Sequence, residues 1–195
     1  AWRFLNMAAW SPYLLSSDDL VYRSKILNHL ARTARHLEQS AIRATQPWDR
    51  VSGWVGVTAA GLLLPEGKAR MAMGEHGLEA ALRELVFADG GVITRAPLQL
   101  IELITLLSAL RQCYLAREEA VPDFITQTLG RNVPALLGLS HADGGVAAWR
   151  RGRAGAAVAA MCSGRLGGAR IGACGLLGGV GQGGFAHPGA FVVGL

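Results

Sequence analysis

The chain has 195 residues and a formal net charge of +5, and 51% of its residues are hydrophobic while 17% are charged. That balance excludes a disordered or fibrous chain and is typical of a globular protein with a sizeable core. The charge does not indicate a nucleic-acid-binding body, because residues 1–149 hold 14 basic and 14 acidic side chains and the whole excess lies in five later arginines.

The beginning of the chain lacks the basic start, apolar middle and small-residue cleavage site of a signal peptide. It starts with Ala1, so we expect a fragment of a longer bacterial-type protein whose location, cytoplasmic or periplasmic, stays open. Cys113, Cys162 and Cys174 lack the spacing of a metal site or of a disulfide framework, which favours a reducing compartment. We expect no metal and no cofactor.

In chain order, the first predicted element is one long helix. The cluster SSDD at 16–19 is typical of a helix N-terminus, apolar residues follow at three- and four-residue steps, and Pro47 lies beyond the end. A short apolar helix is expected from Trp54 to Leu64, closed by Pro65, and another from Glu66 to Val86.

Two further helices follow. Pro97 opens the fourth at its favoured first-turn position, and it runs to Tyr114. The fifth begins near Pro122, with Pro134 as a point where it can kink. Because no segment alternates with a period of two, the predicted fold class is all-α.

A weak internal repeat indicates paired helices. ADGGV occurs at 88–92 and again at 142–146, each time after an apolar helix. The spacing of 54 residues fits two helices with their connections, so each unit is predicted to be one antiparallel hairpin. Stacked hairpins form either a solenoid or a closed ring.

The segment FADGGVITRAP, residues 87–97, carries residues that a simple turn does not need. Gly90 is predicted to cap the preceding helix in a left-handed conformation. Asp89 and Arg95 have two interpretations. They pair across the loop, worth at most about 1 kcal/mol if exposed, or Arg95 faces a cleft and binds an anionic sugar while Asp89 orients it.

The end of the chain differs from the rest. From Gly144 onward there is no acidic residue and no lysine, and 16 of the 26 glycines fall there. We therefore divide the chain into a helical domain, 1–149, and a Gly/Ala/Arg-rich tail, 150–195. Poor order or a shifted reading frame of a GC-rich gene explains the tail best. Arg165 and Arg170 disfavour a membrane segment, and the scarcity of aromatic residues disfavours a nucleic-acid-binding tail.

Two passages carry a family resemblance. LRELVFADGGVITRAPLQLIELITLLSAL resembles the segment of heparinase II/III-like polysaccharide lyases in which D-G-G and R-S-P separate two apolar helices. WSPYLLSSDDLVYRSKILNHL is similar to their W-x-P-Y stretch, followed by an arginine and then R-x-x-N-W. The match covers residues 2–149 in order and spacing.

The resemblance implies a partial (α/α) toroid of antiparallel hairpins, which in this family precedes a β-sandwich domain that is missing here. It also implies an acidic, uronate-containing polysaccharide as ligand, cleaved by β-elimination in the cleft between the two domains. The implied substrate-binding residues are Tyr13, Arg23, Asn28, Asp89 and Arg95.

The catalytic positions depart from the family pattern, so no catalytic residue is assigned. Gln99 and Leu100 stand where the family has Tyr and His, and Gly53-Trp54-Val55 replaces its Asn-His pair. A glutamine is no useful proton acceptor, which argues against lyase activity. We expect the fragment itself to be inactive, because half of the implied cleft is missing from it. The alternative hypothesis is a non-catalytic helical-repeat scaffold that binds a protein on its concave face.

Overall fold

The computed structural model describes residues 1–140, Val146 and the backbone of residues 165–166 and 169–170. The helices of this part are α1 (Trp2–Ala9), α2 (Ser11–Leu14), α3 (Leu20–Arg43), α4 (Pro47–Leu63), α5 (Lys68–Leu85), α6 (Pro97–Ala116) and α7 (Asp123–Gly138). Two short strands, β1 (Arg165–Leu166) and β2 (Ala169–Arg170), pair antiparallel. The prediction of a mostly helical fold is confirmed. The tail predicted for residues 150–195 lies, apart from these strands, outside the described residues.

The start of α3 follows from the capping cluster. Asp19 accepts hydrogen bonds from the backbone N–H groups of Val21 and Tyr22, at 2.8 and 3.2 Å, and so satisfies two of the donors that the first turn leaves free. The helix ends at Arg43, before Pro47, as predicted.

The second predicted helix begins earlier than expected, and two short helices were not predicted. α4 begins at Pro47 and not at Trp54, because a proline at the first helical position lacks only an N–H group that would have no partner there. α1 and α2 were not predicted. They are eight and four residues long, which is too short for a clear apolar periodicity.

The centre of the core is α4, which packs against α1, α3, α5 and α6. It lies very close to α5, because glycines face side chains across the contact. A Cβ atom added at Gly74 would lie 2.8 Å from the backbone nitrogen of Thr58, and one at Gly77 would lie 2.4 Å from the indole of Trp54. Small residues therefore set the separation of this helix pair.

The second central helix is α6, which packs against α4 and α7. Leu103, Leu106, Leu107 and Leu110 are fully buried there. By length and composition α6 could cross a membrane, but half of its most apolar stretch is buried within the fold. A core helix passes the same test, so this single helix is weak evidence for a membrane span.

A buried tyrosine ties α6 to α5. The hydroxyl of Tyr114, a residue that is 1% exposed, donates a hydrogen bond of 2.6 Å to Oε1 of Glu75. Replacing Tyr114 with phenylalanine should lower the free energy of unfolding by about 1–2 kcal/mol, because a hydrogen bond to a charged acceptor is lost.

Chemical denaturation followed by circular dichroism measures that change. Glu75→Gln is the matched control, since the amide oxygen still accepts the bond and the cost should be smaller. Equal stability of Tyr114→Phe and wild type would contradict the role given to this contact.

The internal repeat has a structural counterpart. Val86 pairs with Val92 in an isolated antiparallel bridge, and Ser140 pairs with Val146 in the same way. Both members of the second pair lie 54 residues after those of the first, which is the spacing of the two ADGGV copies. Each of the hairpins α4–α5 and α6–α7 is thus followed by an isolated bridge at the same spacing, and residues 141–145 lie outside the described part.

Candidate functional site

The loop between α5 and α6 is a small β-hairpin. The N–H group of Phe87 donates to the carbonyl oxygen of Gly91 at 2.8 Å, and that of Gly90 donates to the carbonyl oxygen of Phe87 at 3.0 Å. Gly90 has φ +85°, which is the left-handed glycine that commonly ends a three-residue hairpin loop. The left-handed glycine was predicted correctly, but its assignment as a helix cap was wrong. The residue after α5 is Val86, which is extended.

A buried asparagine holds this hairpin against α7. Nδ2 of Asn132 donates to the carbonyl oxygen of Gly90 at 2.7 Å, and Asn132 has no exposed surface. Its Oδ1 is buried without a partner among the described residues. The contact is so close that a Cβ atom at Gly90 would lie 2.2 Å from the carbonyl oxygen of Arg131. The hairpin therefore has little freedom to shift relative to α7.

Beside the hairpin lies an open depression of about 500 Å³. Two of the predicted site residues, Asp89 and Arg95, line it together with Phe87, Gly91, Val92, Ala96, Pro97, Leu100 and Leu139. The depression combines one side chain of each charge with a mostly apolar floor. Apolar surface of this kind can provide contact area for a ligand while a few polar groups fix its orientation.

Asp89 and Arg95 do not pair across the loop. Oδ1 of Asp89 instead accepts a hydrogen bond of 2.8 Å from the backbone of Gly91, and the ion pairs found among the described residues join other side chains. The interpretation of a simple charge pair is therefore wrong. Arg95 is exposed and forms no ion pair within the described part of the chain.

The backbone of Arg95 is unusual. Its φ is +51°, a left-handed conformation that costs a non-glycine residue about 1–2 kcal/mol. Its N–H group donates to the carbonyl oxygen of Val92 at 2.8 Å, which closes a second tight turn before α6. Glu66 and Glu118 adopt the same conformation in two other loops between helices, so the backbone of Arg95 does not by itself mark a functional site.

Tyr13, Arg23 and Asn28 lie outside this depression. Tyr13 is 75% exposed, and its ring centroid lies 5.5 Å from that of Trp10. Arg23 and Asn28 are exposed on α3, where Nδ2 of Asn28 contacts Oγ of Ser24 at 3.4 Å. The structure thus brings together two of the five predicted residues, and the role of the other three stays a prediction.

The reactive groups near the core do not suit acid–base catalysis. Burial raises the pKa of the Cys113 thiol to about 11, so the thiol is protonated at neutral pH. Burial and the Glu75 carboxylate raise the pKa of Tyr114 well above its usual value. Among residues 1–140 no three His, Cys, Asp or Glu side chains are grouped so as to hold a metal ion. Oε1 of Gln99, in the first turn of α6, accepts a hydrogen bond from Oγ1 of Thr94.

Asn132, which positions the hairpin, was not predicted from the sequence. A signal was present, since Ile125, Leu129, Asn132 and Leu136 follow one another at helical spacing and all are buried. A polar residue within an apolar stripe usually has a specific buried partner.

Comparison with protein-family models, with curated proteins and with solved structures gives no match. The resemblance to heparinase II/III-like lyases therefore rests on the sequence motifs alone.

Proposed function

We propose that the chain binds a uronate-containing polysaccharide at the depression beside the α5–α6 hairpin, as part of a helical toroid of the heparinase II/III-like kind. The observation that carries the proposal is the exposed side chain of Arg95, which forms no ion pair within the described part and lies at the edge of an apolar floor. Arginine binds a carboxylate through two parallel hydrogen bonds, which suits a sugar acid better than a neutral sugar.

The floor of the depression supports a sugar ligand. The ring of Phe87, a residue that is 43% exposed, offers an apolar surface for the C–H face of a sugar ring, while Asp89 provides an acceptor for hydroxyl groups. In the proposed arrangement the hairpins α4–α5 and α6–α7 belong to the toroid, and a β-sandwich domain of the parent protein covers the depression from the other side.

Binding, and not elimination, is the function proposed for this chain. β-Elimination requires a base beside the C5 proton and an acid for the leaving oxygen. The described residues that line the depression include no histidine or tyrosine.

The test is calorimetric titration of the chain with a hexuronate tetrasaccharide and with a neutral tetrasaccharide. The wild type should prefer the hexuronate, and Arg95→Gln should bind it at least about tenfold more weakly, since a charge-assisted hydrogen bond is lost. Arg117→Gln, an exposed arginine at the end of α6, is the matched control and should bind like the wild type. Equal affinity of wild type and Arg95→Gln, or equal affinity for the two sugars, contradicts the proposal.

The alternative, a scaffold for a protein partner, is favoured by a different surface. Trp10, Tyr13, Leu20 and Val21 are each about half or more exposed near the beginning of the chain. The rings of Trp10 and Tyr13 lie 5.5 Å apart, and exposed apolar side chains that lie close together often mark protein contacts. Absence of any sugar binding in the titration would leave this alternative as the better explanation.

A further inference from the structure

The outer face of α3 carries four cations without acidic partners. Lys25, Arg32, Arg35 and Arg43 are exposed, and none of them forms an ion pair with another residue in the described part. Glu38 is the one acidic residue within α3, and it already pairs with Arg70 at 3.4 Å.

Helical geometry places these cations on one side. Lys25, Arg32 and Arg43 are separated by seven and eleven residues, so at 3.6 residues per turn they lie within about 20° of one another around the axis. Arg35 lies one turn from Arg32. The buried residues of α3, which are Leu30, Ala34 and Ala41, project from the opposite side. The cationic face therefore points away from the core and extends over about 27 Å.

Uncharged hydrogen-bonding groups lie on the same face. Asn28 precedes Arg32 by four residues and Gln39 follows it by seven, and both are exposed. Amide groups between cations can bond to sugar hydroxyls while the cations meet carboxylates. Single-stranded nucleic acid would instead need aromatic side chains for stacking, and from Lys25 to Arg43 the helix has no Phe, Tyr or Trp.

We infer that the outer face of α3 binds a linear acidic polysaccharide along the helix axis, as a second contact separate from the depression at Arg95. The choice of polymer rests on the proposed function, whereas the anionic character of the ligand follows from the face itself. Because the cations are spread over several turns, a long chain engages them together and a short oligosaccharide engages only a few.

The experiment compares a long hexuronate polymer with the tetrasaccharide on the full chain at fixed ionic strength. Arg32→Gln/Arg35→Gln should bind the polymer about tenfold more weakly, since two exposed charge contacts are lost. Its affinity for the tetrasaccharide should stay within about twofold of wild type. The control, Lys68→Gln/Arg117→Gln, removes the same charge from exposed sites on α5 and after α6 and should leave both affinities unchanged.

Two results would overturn the inference. One is equal polymer affinity of the α3 variant and the control variant, which would show that the loss of affinity depends only on the net charge of the protein. The other is equally tight binding of duplex DNA, which would make the face a general polyanion surface. Failure of the proposed function gives a different result. In that case the wild type does not bind the tetrasaccharide, while its polymer binding still depends on α3.

Discussion

Gly90→Ala should lower the free energy of unfolding by about 3 kcal/mol. The residue has φ +85°, a conformation that costs alanine about 1–2 kcal/mol. The added methyl group would also lie 2.2 Å from the carbonyl oxygen of Arg131. Moving the backbone of a packed helix away from it would cost free energy. To avoid that contact the hairpin must move off α7, which breaks the bond from Asn132 to the Gly90 carbonyl.

The neighbouring glycine gives a matched control. Gly91 has no left-handed φ, and a Cβ atom there would have as its nearest neighbour Oδ1 of the exposed Asp89, at 3.2 Å. Gly91→Ala should therefore cost less than about 1 kcal/mol. Urea unfolding of the two variants checks the difference. Equal destabilisation by Gly90→Ala and Gly91→Ala would mean that the hairpin does not pack closely against α7.

The same variants connect stability to the proposed binding. Since Arg95 follows the hairpin directly, a displaced hairpin moves its guanidinium relative to the depression. We expect Gly90→Ala to weaken hexuronate binding even at temperatures where it is fully folded, and to do so more than Gly91→Ala, which adds its methyl group at the lining of the depression without moving the hairpin.

Gly74→Ala should lower the free energy of unfolding by about 2 kcal/mol. Alanine is the better helix former by about 1 kcal/mol, but here its methyl group would lie 2.8 Å and 3.0 Å from backbone atoms of Thr58. To accommodate it, α4 and α5 must separate, and the packing around Trp54 loosens with them.

Gly130 is the control for this second prediction. It lies in α7, is exposed, and has no atom within 4 Å of an added Cβ. The identical substitution should stabilise the protein by about 0.5–1 kcal/mol. Thermal unfolding of both variants tests the opposite signs. A stabilising Gly74→Ala would show that α4 and α5 do not meet closely at this point.

The sequence alone determined the local elements. Apolar steps of three and four residues indicated α3, α5, α6 and α7, and Asp19 and Pro97 marked two of their beginnings, because capping and proline effects act within one turn. It also determined the repeat, since the two ADGGV copies lie at the spacing of the two bridges. A left-handed residue at Gly90 was predictable because glycine adopts that conformation at low cost.

Only the tertiary structure decided what those elements do together. The use of Gly90 in a hairpin and not as a cap depends on a bond from Asn132, 42 residues away, which no local pattern encodes. The same holds for Asp89, whose carboxylate accepts from Gly91 and leaves Arg95 without an acidic partner among the described residues. Burial and contact between distant segments are collective properties of the packed chain, so periodicity fixes which face of a helix is apolar but not which partner covers it.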